Sequence, residues 1–85
     1  MRAAYTRFMR IPVDWSDCPI VEVVPGKVSG VPILKGTRVQ ADSIVENYET
    51  GSPVEEIAYN FDLKPEDIRA VLAYAARQQA RLRSH

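Results

Sequence analysis

One cysteine, Cys18, and one histidine, His85, are all the thiol and imidazole chemistry in the chain. A lone cysteine closes no internal disulfide and builds no cysteine metal cluster, which fits a reducing cytoplasm. Cys18 follows Asp17 but has no histidine to activate it, so it reads as a structural thiol, and His85 sits at the last position. No metal-ligand spacing is present. No apolar run is long enough to span a membrane, and the first residues carry no signal-peptide core. Net charge is also missing: 11 basic and 11 acidic residues cancel, so bulk composition gives no nucleic-acid footprint. Repeats, linkers and low-complexity tracts are absent as well. Lys35-Gly36-Thr37 lacks the order GxxxxGK[ST] and is not a phosphate loop. The carboxylate pairs Glu55-Glu56 and Glu66-Asp67 are adjacent in sequence, point to different helix faces, and read as solvated surface. These absences argue against an enzyme, and no cofactor or metal is expected.

What is present is enough for one domain. At 85 residues and 46% apolar, the chain can form one small core. A core of that size is marginal, which favours a dimer or a firmly bound partner. The charges are sorted along the chain. Residues 1–10 carry Arg2, Arg7 and Arg10 and no acid; residues 42–67 carry eight acids against Lys64 alone; residues 69–85 carry Arg69, Arg77, Arg81 and Arg83 and no acid.

Met1 to Arg10 shows no clear period and reads as an arm. Trp15 lies in a turn-rich stretch and is expected to lay its ring over the core. Ile20–Val24 and Val31–Leu34 read as two short strands of a hairpin, the second confined to an edge by Pro32. Gly36 supplies a positive-φ turn. A helix is expected from about Ala41 to Thr50, with Ile44, Val45 and Tyr48 inward, Ser43 and Glu46 as a capping box, and Gly51 as its stop.

Ser52 to Tyr74 reads as two helices joined by a tight turn. Ser52 with Glu55 gives a second capping box, and Pro53 suits the first turn. Ile57, Ala58 and Phe61 form the apolar side. Asn60-Phe61-Asp62 is the reversal, Leu63 plugs the corner, and Pro65 starts the next helix. Its stripe of Ile68, Val71, Leu72, Ala75, Gln79 and Leu82 repeats at helical spacing to about Leu82, leaving Glu66, Ala70, Ala73, Arg77 and Arg81 outward. A small residue at the crossing and a hydrophobe after the turn are what a helix-turn-helix requires, and a compact structural hairpin looks much the same.

PGKVSGVPILKGTRV at 25–39, IVENYETG, and SPVEEIAYNFDLKPEDIRAVLAYAARQ together closely resemble the domain of unknown function 433 (DUF433) family over about Ile20 to Gln78. The most specific piece is G-x-P-x-L-K-G-T-R at Gly30–Arg38. The resemblance implies a mostly α fold: a short N-terminal β-hairpin followed by a three-helix, helix-turn-helix-like bundle. The domain would run over 20–80, after an arm at 1–19 and before a tail at 81–85. Members often look like antitoxins of type II toxin–antitoxin pairs, with a PIN-like nuclease as neighbour and dimerisation common. No catalytic residue is carried over. Lys64 stands where the family usually has a Ser or Thr cap, a loss of about 1 kcal/mol.

The functional expectation is an antitoxin-like, cytoplasmic binding protein that neutralises a PIN-like nuclease. Arg77, Arg81 and Arg83 are the partner-binding candidates, because a guanidinium pairs with carboxylates in a bidentate way. The alternatives are a DNA-binding regulator, using Lys64, Arg69, Arg7 and Arg10, and a dimeric scaffold. Ala70 and Ala73 are the candidate dimer contacts.

Overall fold

Ile33 is fully buried and is bonded on both flanks, and the small β element forms around it. The fold is that of a computed structural model, which describes residues 13–83, with side chains to residue 80. Strand β1 (Val21–Glu22) runs antiparallel to β2 (Ile33–Leu34), pairing Val21 with Leu34 and Glu22 with Ile33. On its other side Ile33 bridges to Gln40, and Leu34 N–H donates to Val39 O at 2.9 Å. β2 is an edge strand, as expected: the described sheet has two strands, and beyond it Ile33 makes only a single bridge. Pro32, which lacks an N–H, stands just before β2, and its carbonyl accepts from Ala41 N–H at 3.1 Å. Both strands are shorter than expected: β1 ends ahead of the turn in which Val24 O accepts from Lys27 N–H at 3.0 Å, and β2 begins only after Pro32.

Three helices follow: α1 (Ala41–Glu49), α2 (Val54–Phe61) and α3 (Pro65–Arg83). The apolar periods land as expected, with Ile44 and Val45, Ile57 and Ala58, and Ile68, Val71 and Ala75 all buried. Each Ile or Val side chain so buried contributes about 1.5–3 kcal/mol. Tyr48, expected inward, is half exposed at 50%.

The two capping boxes do not form. The Pro32 contact starts α1 at Ala41, which places Ser43 inside the first turn, and Gln40 makes no side-chain cap. Ser52 instead closes α1: its N–H donates to Asn47 O at 3.0 Å while Gly51 N–H donates to Tyr48 O at 3.1 Å. Gly51 adopts φ +113° to allow this paired closure. Pro53, not Ser52, is then the residue ahead of α2, and it too makes no side-chain cap. α2 ends in the same way, with Leu63 N–H on Ala58 O at 2.9 Å and Asp62 N–H on Tyr59 O at 3.3 Å. Asp62 takes the left-handed conformation (φ +57°) that the turn reading assigns to this stretch.

The segment before β1 is locked on. Trp15 is buried and stacks on Tyr74 with ring centroids 5.6 Å apart. Its Nε1–H donates to Asp42 Oδ1 at 2.9 Å. Tyr74 Oη–H donates to Asp14 O at 2.9 Å, and Asp14 N–H donates to Gln78 Oε1 at 3.0 Å. Cys18 is buried beside Trp15 in the same core. Of the stretch read as an arm, residues 13–19 thus lie against the helical body. One face of α1 and one of α3 are held by the chain that leads into the hairpin.

Candidate functional site

Most of the acids of residues 42–67 lie on the surface of the three helices. Asp42, Glu46, Glu49, Glu55, Glu56, Asp62 and Glu66 are exposed on the helical body, and Asp67 is half-buried. Several occupy first turns, Asp42 in α1, Glu55 and Glu56 in α2, Glu66 and Asp67 in α3, where a negative charge favours the helix dipole. Among the described residues no group of three or more His, Cys, Asp or Glu side chains could hold a metal ion. No described helix is long and apolar enough to cross a membrane.

The sequence-derived cations fare differently from one another. Lys64 is exposed in the link between α2 and α3, among Asp62, Glu66 and Asp67. Arg69 is turned to its own body, with its Nη2 3.1 Å from Glu55 Oε2 and side chains 58% and 71% exposed. So open a pair adds little stability, about 0–1 kcal/mol, but it places a carboxylate in front of a proposed phosphate contact. Arg7 and Arg10 lie outside the described residues. Arg77 is exposed on the far half of α3. Arg81 and Arg83 continue the same helix, and their side chains lie outside the described set. Ala70 and Ala73 are exposed, as the outward reading of α3 requires.

Two further features lie outside the candidate residues. An open groove of about 520 Å³ is lined by Val13, Val21, Val23 and Pro32 together with Asp14 and Glu22. The Asp14 carboxyl is held below its ordinary range by the Ser16 backbone N–H and hydroxyl. The second feature is the turn from Lys35 to Arg38, whose ends are both cationic and exposed.

Helices α2 and α3, joined through Asp62–Lys64 and packed on α1 behind a two-strand hairpin, define a small, mostly helical protein of helix-turn-helix-like build. The chain belongs to the DUF433 family, described as proteins of unknown function, whose model matches residues 21–75. It is similar to the crystal structure of a DUF433 member protein from Anabaena variabilis, with 23% sequence identity and a TM-score of 0.60. The match covers 76% of this chain and 65% of the other, so the chain spans about two thirds of that protein's length. That likeness concerns the fold. No curated protein matches the chain.

Proposed function

We propose that this protein is an antitoxin-like binding module that neutralises a PIN-like nuclease through the cationic end of α3. The observation that carries the reading is the separation of charge along that helix. Its first turn holds Glu66 and Asp67, whereas everything after Asp67 is free of acids and bears Arg69, Arg77, Arg81 and Arg83. At 19 residues the helix is about 28 Å long, enough to extend Arg77 and the residues beyond it away from the acidic body. PIN-type nucleases gather carboxylates around a divalent metal, and an arginine entering such a pocket meets a complementary field. The family resemblance supplies the partner class; the charge pattern supports it. The same reading makes the protein cytoplasmic and a homodimer, with Ala70 and Ala73 at the dimer contact.

A DNA-binding regulator is the alternative, and the helix-turn-helix-like order of α2 and α3 favours it. The charges oppose it. Glu66 and Asp67 stand at the start of the helix that would enter the groove, and Arg69 is paired with Glu55. DNA affinity of the free protein is therefore weak and salt-sensitive in this reading.

The deciding experiment is co-expression with the product of the adjacent open reading frame, followed by nuclease assay of the purified pair. Co-purification and inhibition that is lost on truncation after Gln79 support the proposal. Full inhibition by the truncated chain removes Arg81 and Arg83 from the mechanism, and failure to co-purify sinks the nuclease reading.

A further inference from the structure

We infer that the turn Lys35–Arg38 is a second, pre-formed cationic contact that enters an acidic hollow on a protein partner. The inference rests on the nuclease reading and names a part of the surface that reading leaves unused.

The turn is fixed at nearly every backbone position. Lys35 N–H donates to Ile20 O at 3.0 Å, and Thr37 N–H and hydroxyl both donate to Leu34 O, at 3.0 and 2.8 Å. Val39 N–H donates to Thr37 Oγ1 at 3.0 Å, and Leu34 N–H to Val39 O at 2.9 Å. Gly36, at φ +75°, turns its N–H to Glu22 Oε2 at 3.2 Å. Behind the turn, Ile33 and Leu34 are buried in the core. The result is a rigid projection whose two ends, Lys35 and Arg38, are exposed and form no ion pair with any described carboxylate.

That bonding pattern selects the partner. A phosphate cradle needs free backbone N–H groups, and those of Lys35, Gly36, Thr37 and Val39 are already taken. Glu22 stands where an external anion would meet Gly36. Recognition is left to the two side chains, and a narrow tip with an ammonium and a guanidinium suits a hollow lined by carboxylates. Duplex DNA would have to lie along a broader surface, and the adjoining body carries eight acids in residues 42–67. A carboxylate-rich protein pocket meets only the tip.

The test uses the full chain with the adjacent nuclease, comparing wild type, K35A/R38A, the gentler K35Q/R38Q and R38K by calorimetric titration and thermal melting. Both side chains are exposed, so each variant is expected to melt as wild type does. The double variants are expected to bind the nuclease about tenfold or more weakly, and R38K to recover part of that loss, as charge without bidentate geometry should. Equal affinity of wild type and double variants overturns this inference and leaves the nuclease reading intact. No binding by wild type overturns both. If the double variants instead lose affinity for a fluorescein-labelled duplex while keeping the nuclease, the tip is a nucleic-acid contact and the inference fails.

Discussion

The Trp15 ring lies on the Tyr74 ring at 5.6 Å with only 20° between their planes, joining residues nearly sixty positions apart. The stack is also bonded at its rim, through Trp15 Nε1–H to Asp42 and Tyr74 Oη–H to Asp14 O. One contact therefore ties the entry of the chain to α1 and α3 together. Trp15→Ala removes a buried indole and should cost about 3–5 kcal/mol. Tyr74→Phe keeps the stack and loses the hydroxyl bonds, for about 1 kcal/mol. Urea unfolding followed by circular dichroism measures both. A Trp15→Ala loss under about 1 kcal/mol would mean that the lid is not part of the core.

A second prediction concerns handedness. Val28 sits at φ +49° and Ser29 at φ +56°, in a turn closed by Val31 N–H on Val28 O at 3.2 Å. A β-branched residue is poorly suited to that region, whereas Asn tolerates it. Val28→Asn should raise stability by about 1 kcal/mol. The converse holds at Asp62, φ +57°, where the native residue already tolerates the turn. Asp62→Val should lower stability by about 1–2 kcal/mol. Thermal melts of the two variants moving in the same direction would refute the argument.

How much of this could be read from the sequence depends on how local its cause is. Ile44 with Val45, Ile57 with Ala58, and Ile68 with Val71 announce their helices by spacing, and Gly51 and Asp62 announce the breaks. The caps did not follow, because the start of α1 is set by Pro32 O, nine residues before Ala41. That bond moves Ser43 inside the helix. Ser52 was likewise taken by the closure of α1. Tyr48 reads as inward by spacing yet is half exposed, whereas Tyr74, absent from the α3 stripe, packs because Trp15 stacks on it. The site was less legible still. The Gly36 N–H is taken by Glu22 from β1, and Arg69 is paired with Glu55, each a contact between residues 14 positions apart.

Asp14 gives a pH prediction with a definite sign. Its carboxylate accepts from Ser16 N–H at 3.0 Å, and the Ser16 backbone and side-chain bonds lower its pKa in the folded state. The unfolded chain then binds the proton more readily, so stability rises with pH across the window. The contribution is present above the unfolded value of about 3.9 and is lost as pH falls through the lower, folded value. Asp14→Asn should melt below wild type at about pH 6, and the gap should close towards about pH 3. A gap that widens on acidification would reverse the assignment.

Alanine occupies two opposite situations here, and this separates folding from association. Ala58 is buried on α2 beside α3, where it leaves room for the helices to approach, while Ala70 and Ala73 are exposed on the other side of α3. Ala58→Leu adds volume to a filled site and should cost about 1–3 kcal/mol. Ala70→Glu with Ala73→Glu adds charge only where solvent, or a second copy, would be. If α3 is the dimer contact, that double variant keeps the wild-type melting profile at low concentration but sediments as a monomer where wild type is a dimer. Two carboxylates facing their own symmetry mates repel across a two-fold axis, and a dimer built elsewhere on the surface has no reason to respond to them. Sedimentation velocity over a range of concentrations distinguishes these cases. A double variant that still dimerises with wild-type affinity moves the contact away from Ala70 and Ala73.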